Sequence, residues 1–298
     1  MQEKLNLERQ YAESLKKVIA EGVRSKNRTG IDTFAIQHQY FLIENVSQNF
    51  PILRGKKMYP KMALKELAWM MNGRTDVKWL EDRGVKYWKE WANAEGTIGK
   101  SYGHQFRSQG GTDPLQADIL NTIINNPESR RIILNLWNHS EINEMSLPPC
   151  VYDYHFACVL DPNQSQAYNV DLHVKQRSAD SFLGVPYDFM FVGWFLEIIC
   201  YLASQFSVEY NFYARDIHYT CDDFHIYENH TDQVAQYLSN VKDNHGGVID
   251  IPSKALLADI RPKSLDNYLS RIDVNGYKDF LVFGPDDVYG PIKAPIAV

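Results

Sequence analysis

Cys150 ends the run Leu147-Pro148-Pro149-Cys150, in which a proline pair fixes the approach of the chain to a cysteine. The thiolate is the attacking form of that side chain, and a cationic neighbour lowers its pKa. Arg177 can supply the charge from a second dense segment, Gln176-Arg177-Ser178-Ala179-Asp180-Ser181-Phe182-Leu183-Gly184-Val185-Pro186-Tyr187-Asp188. A third segment, Asp223-Phe224-His225-Ile226-Tyr227-Glu228-Asn229-His230, adds histidine, tyrosine and carboxylate side chains. A cysteine with an activating cation is the start of a covalent-catalysis site. Taken alone, each cysteine reads as a small buried hydrophobe, and Cys158, Cys200 and Cys221 are expected to be that. The four cysteines make no CxxC pair and no Cys/His zinc spacing, so no metal is expected and a reduced, intracellular setting fits.

The elements that must carry these residues show in the apolar spacing. Tyr11, Leu15, Val18 and Ile19 share one helical face and predict an opening amphipathic helix. Asn27-Arg28-Thr29-Gly30 reads as a turn. Leu64, Leu67, Ala68 and Met71 mark a second helix that stops near Gly73. Glu66 lies inside that apolar run, where a carboxylate is costly to bury without partners. Ile132, Leu134 and Leu136 alternate, as do Val170, Leu172 and Val174, so both segments read as strands with one buried face. A buried helix over 189–206 is expected after a Gly-Val-Pro turn. Its interruption by Glu197, Ser204 and Gln205 argues against a membrane span. Strands and helices mix without regular βαβ units, which points to an α+β fold.

With 298 residues and 44% apolar content, the chain can bury a sizeable core. No linker, repeat or low-complexity tract divides it, so a single domain over 1–298 is expected. A formal net charge of -6 argues against a nonspecific nucleic-acid binder but leaves room for a local phosphate site. The N-terminal residues Met1-Gln2-Glu3-Lys4 carry no apolar signal core, so a cytoplasmic location is expected.

The ordered blocks resemble the thymidylate synthase family, whose members read approximately LPPC, then QRSxDxxLGxPFN, then GDxHxYxNH. Further blocks agree: Arg28-Thr29-Gly30, Lys65-Glu66-Leu67-Ala68-Trp69, Trp88-Lys89-Glu90-Trp91, Tyr102-Gly103-His104-Gln105, Ser129-Arg130-Arg131 with Trp137-Asn138, and the ending Ile292-Lys293-Ala294-Pro295-Ile296-Ala297-Val298. The resemblance covers nearly the whole chain. It implies a mixed β-sheet packed with helices, with a sheet face at the interface of a homodimer. It makes Cys150 the nucleophile that adds to C6 of a pyrimidine nucleotide, leaving C5 electron-rich enough to attack a one-carbon unit. The implied donor is 5,10-methylenetetrahydrofolate.

The same resemblance assigns expected roles. Arg28, Arg177 and Ser178 match phosphate ligands, with arginine supplying a bidentate fork. Arg130 and Arg131 match the pair given by the partner subunit, which implies a symmetric dimer. Gln176 falls in the nucleotide-binding block. His225 and Tyr227 match the pair on the sugar 3′-hydroxyl. Glu66 and Tyr102 match residues that organise water and proton transfer near the base. Trp88, Trp91, Asp180, Leu183, Gly184 and Tyr187 fall on the folate-facing wall, and Val298 matches the terminal residue that closes over the ligands.

Two positions depart from the family pattern: Asp188 stands where PFN has asparagine, and Val151 where LPPCH has histidine. Asparagine reads uracil by accepting from N3–H and donating to O4. Cytosine presents the opposite pattern. An ionised Asp188 can accept from N4–H and stabilise a proton on N3, whereas a protonated one can donate to N3 and accept from N4–H. A neutral acid can also imitate asparagine towards uracil. Protonating it for that purpose costs about 4 kcal/mol at pH 7 if its pKa stays near 3.9. On this ground cytosine is expected over uracil. The aspartate marks the phage-type deoxycytidylate hydroxymethylases, in which water rather than folate hydride captures the transferred carbon. The expectation is therefore hydroxymethylation of dCMP, with location in a host cytoplasm if the source is viral. The alternative is thymidylate synthesis from dUMP. A non-catalytic nucleotide- or RNA-binding relative is a third reading, against which Cys150, Arg177, Glu66 and Tyr102 argue. Asp153 and His155 also depart from the family pattern, either rebuilding a network near the base or facing elsewhere.

Overall fold

Alternating apolar residues build the sheet, and helices and turns packed around it carry the blocks that lie outside the strands. The computed structural model describes residues 6–241 and 289–297. Its strands are β1 (Val23–Ser25), β2 (Thr33–Ile43), β3 (Ile133–Asn135), β4 (Val151–Leu160), β5 (Ala167–Gln176), β6 (Ala179–Asp180) and β7 (Asn211–Tyr227). They form one sheet in the order β1-β2-β7-β5-β4-β3, with β6 beside β7. β7 runs parallel to β5 and β6, and the remaining neighbours are antiparallel. The helices are α1 (Leu7–Glu21), α2 (Pro60–Met71), α3 (Val77–Glu81), α4 (Tyr102–Arg107), α5 (Asn121–Asn125), α6 (Gly184–Phe206) and α7 (Thr231–Val241). This is the α+β architecture the sequence predicts. Parallel neighbours require a crossover, and α6 supplies it between β6 and β7.

Several local expectations are refined. Asn6 caps α1 by accepting the Arg9 N–H at 2.9 Å. Tyr11, Leu15 and Val18 are buried, but Ile19 is 59% exposed because it lies off the stripe that meets the sheet. Ile132, Leu134 and Leu136 are all buried, although strand pairing covers only the short β3 between them. α6 starts at Gly184 and takes Val185 and Pro186 into its first turn, where a missing N–H leaves no helical bond unmade. Asp180 sets up that start: its Oδ1 accepts from the N–H groups of Phe182 (3.0 Å) and Leu183 (3.1 Å).

α6 is long and apolar enough to cross a membrane, yet 78% of its most apolar window is buried within the fold. It is the central core helix. Phe189 meets Phe41 of β2 at 5.0 Å and Tyr219 of β7 at 5.3 Å, both edge to face. Gly193 lets the helix pass the 50–51 segment, since a Cβ there would sit 2.7 Å from Pro51 Cγ.

Candidate active site

Several parts of the fold converge on one cavity of about 740 Å³, a size ordinary for a small-molecule site. Cys150 immediately precedes β4, and Gln176, Arg177 and Ser178 leave the end of β5 beside it, held by the Val151–Gln176 pairing. β7 contributes Asp223, His225 and Tyr227; α2 contributes Glu66; the first turns of α6 contribute Tyr187 and Asp188. Trp88 and Trp91 come from a 3₁₀ turn, Tyr87–Trp91, and Tyr102 begins α4. Asp180, Leu183 and Gly184 also line the cavity, as does Arg28 from the 26–29 turn.

Arg177 is fixed by its own surroundings. Its Nε donates to Pro149 O and its Nη2 to Pro148 O, both at 2.9 Å, so the proline pair positions the guanidinium as well as the cysteine. Nη2 then lies 3.8 Å from Cys150 Sγ. The Cys150 N–H donates to the Tyr102 hydroxyl at 2.7 Å. Arg177 favours the thiolate as expected, but the net shift is the other way. Burial pushes the Cys150 thiol above its ordinary range, Arg177 opposes this, and Asp188 adds to it.

Two carboxyls of the cavity, Glu66 and Asp188, hold protons unusually well. Burial raises Glu66 to about 7, against the pull of the Tyr87 hydroxyl, which donates to Oε2. Burial first, and then the charge of Glu66, raise Asp188 to about 8; the Gln176 amide, donating to Oδ2 at 2.9 Å, opposes the rise. Burial and the Glu66 charge both favour the neutral acid at Asp188, which lowers the expected penalty for protonating it and weakens the preference for cytosine that rested on that penalty.

Other predicted residues separate into groups. His225 is steadied by Asp223, whose Oδ1 is 2.9 Å from Nδ1, and its ring lies 5.1 Å from that of Tyr227. Asp180 borders the cavity while its carboxylate is engaged with the start of α6. Arg130 and Arg131 are exposed before β3 and do not line the cavity. Val298 lies outside the described residues. The segment before it docks nonetheless: His230 Nε2 is 2.7 Å from Pro295 O, and Ile296 and Ala297 line the cavity. Val151 lines the cavity, whereas Asp153 and His155 face elsewhere. Asp153 accepts from Asn135 at 3.0 Å, and His155 lies 5.8 Å from the His173 ring. Cys200 and Cys221 are buried and Cys158 half-buried; none is in a disulfide.

Sequence reading misses three side chains of this site. Tyr87 binds Glu66, Asp223 holds His225, and Tyr219 donates to Gln176 at 2.8 Å. Tyr219 sits in an alternating strand whose pattern signals only burial.

A pterin-bearing one-carbon donor can be tested against the cavity wall. The indole N–H of Trp91 is buried with no hydrogen-bond partner among the described residues, that of Trp88 interacts with Glu66, and both rings border the cavity. A buried donor left open at a cavity wall suits a flat, polar heteroaromatic ligand. Among the described residues, no group of three or more His, Cys, Asp or Glu side chains is disposed to hold a metal.

The thymidylate synthase family profile matches residues 9–280 of the chain. A curated protein named thymidylate synthase, from Brachyspira hyodysenteriae (strain ATCC 49526 / WA1), is 34% identical over 292 residues. The match covers 97% of this chain and 99% of that protein.

Proposed function

Because the chain belongs to the thymidylate synthase family, we propose that it is a one-carbon transferase that methylates dUMP at C5, yielding dTMP and dihydrofolate. The observation that carries the choice of base is the likeness over almost the full length to a protein named thymidylate synthase. Asp188 permits that base: burial favours its neutral acid, whose O–H and C=O can replace the amide of an asparagine, donating to O4 and accepting from N3–H of uracil.

The chain's own residues supply the rest. Cys150 adds to C6 of the base. Arg28, Arg177 and Ser178 hold the phosphate, and His225 with Tyr227 holds the sugar hydroxyl. Glu66, with a pKa near 7, is suited to exchange protons through ordered water at working pH. Trp88, Trp91, Leu183 and Tyr187 form the wall for 5,10-methylenetetrahydrofolate, which when bound supplies the carbon and the hydride. Ile296 and Ala297 cover the mouth. Arg130 and Arg131, exposed and away from this cavity, are assigned to the phosphate of a partner subunit in a homodimer.

One specific observation favours a second reading, hydroxymethylation of dCMP. Asp188 stands where the family pattern has asparagine, and the same neutral acid can donate to N3 and accept from N4–H of cytosine. The two readings part on product. Purified protein is incubated with methylenetetrahydrofolate and either nucleotide; products are identified by mass, and dihydrofolate is followed by absorbance. The uracil reading expects dTMP with stoichiometric dihydrofolate. Hydroxymethyl-dCMP formed without dihydrofolate would overturn it in favour of cytosine.

A further inference from the structure

A neutral carboxylic acid has one hydroxyl and one carbonyl oxygen, and the proton can sit on either. An acid free to choose is an ambiguous reader. With C=O facing position 3 of the ring and O–H facing position 4 it matches uracil; with the two exchanged it matches cytosine. Something must fix the proton if Asp188 is to select one base.

The surroundings of Gln176 do this. Gln176 is buried at the end of β5, and its Nε2 donates to Asp188 Oδ2 at 2.9 Å. Its Oε1 accepts from the Tyr219 hydroxyl at 2.8 Å and faces Cys221 Sγ at 3.6 Å. Tyr219 and Cys221 are two apart on β7, so they present their side chains to the same side of the strand, and both are fully buried. Both are held in their protonated, donating forms by burial. If the amide turned over, its NH₂ would face two donors. The Tyr219 O–H would then be buried without an acceptor, at the cost of an unmade hydrogen bond. The amide is therefore held with NH₂ towards Asp188. An oxygen that accepts from this NH₂ is the better carbonyl, which leaves the proton to Oδ1.

We propose that Tyr219 is a positioning residue for base selection: by locking the Gln176 amide it fixes the Asp188 proton on Oδ1, so that the carboxyl reads one pyrimidine edge rather than both. This rests on the proposed reading of Asp188 as the group that meets the base, but not on which base is preferred. It deepens that reading by naming what makes a chemically ambivalent acid selective.

The test is Tyr219→Phe, which removes the hydroxyl and keeps the ring against Phe189. We expect the ratio of kcat/KM for the preferred over the disfavoured nucleotide to fall about tenfold, as expected when a buried mismatch is relieved. The fall should come largely from a rise for the disfavoured base. Simple structural damage would lower both bases together, and that outcome overturns the proposal. A second readout needs no turnover. Infrared difference spectra against Asp188→Asn identify the Asp188 acid carbonyl band. In Tyr219→Phe the band should split or broaden as the proton occupies both oxygens; an unchanged band overturns the lock. Should Tyr219→Phe fail to fold, Gln176→Leu removes the amide through which Tyr219 acts and is expected to lower the same ratio and broaden the same band; an unchanged ratio and band contradict the proposal. If the wild type turns over neither nucleotide, the proposed function fails, while the infrared comparison still decides whether the lock exists.

Discussion

Cys150 carries two opposing influences, and the larger is the one that sequence does not contain. Arg177 beside it is legible as a cation in a neighbouring block; the burial that outweighs Arg177 depends on the closed cavity. The free protein should therefore hold a thiol at neutral pH. Alkylation of Cys150 by iodoacetamide is expected to be slow at pH 7 and to rise with pH beyond the midpoint of an ordinary thiol near 8.5. Arg177→Ala should slow it further at each pH, as peptide mass mapping would show. Asp188 gives a second prediction. Its folded pKa of about 8 lies above its unfolded value, so the folded state binds the proton more tightly. That contribution is whole below about pH 4 and is lost as the pH climbs through the folded value. Asp188→Asn cannot ionise, so its Tm relative to wild type should rise between pH 6 and pH 9, by roughly 2–4 °C per kcal/mol. A constant difference across that range would contradict the neutral acid.

Elements divide between those that apolar spacing reveals and those that tertiary contact decides. The helix around Leu64 and Leu67 and the strand around Leu172 follow from periodicity, because each has one face against the core. The start of α6 does not, since a Gly-Val-Pro sequence signals a turn until Asp180 is seen holding the two residues that lead into the helix. Ile19 fits a helical face by spacing alone, but only its position over the sheet shows it to be exposed. Asp153 and His155 can be judged near or far from the cavity only once the register of β4 is known. Close packing of α6 is testable at Gly193. Gly193→Ala would bring a Cβ to 2.7 Å from Pro51 Cγ and 3.1 Å from Phe50 Cε2. Such overpacking should destabilise the fold by about 1–3 kcal/mol, read as a lower urea midpoint at unchanged m-value.

At the scale of the whole molecule, the cavity gathers β4, β5, β7, α2 and α6 around a single thiol, while Arg130 and Arg131 lie exposed elsewhere. Residue blocks make the site legible by resemblance; its completion by a second subunit is the proposal that accounts for the two exposed arginines. Complementation tests it. Cys150→Ser alone should be inactive, and an Arg130→Ala, Arg131→Ala double variant should have a strongly raised KM for nucleotide. Mixing them after unfolding and refolding should restore activity, because a heterodimer contains one site with both the thiol and the partner arginines. No gain on mixing would remove the shared-site assignment.

Cys150 is assigned the activation of a pyrimidine nucleotide for substitution at C5. Release of tritium from C5 of labelled dUMP, and separately of labelled dCMP, in the presence of methylenetetrahydrofolate measures that substitution whichever product follows. Folate-dependent release by the wild type, strongest with dUMP and absent in Cys150→Ser, is the predicted result. No release from either nucleotide, or release that survives Cys150→Ser, would contradict that role for Cys150.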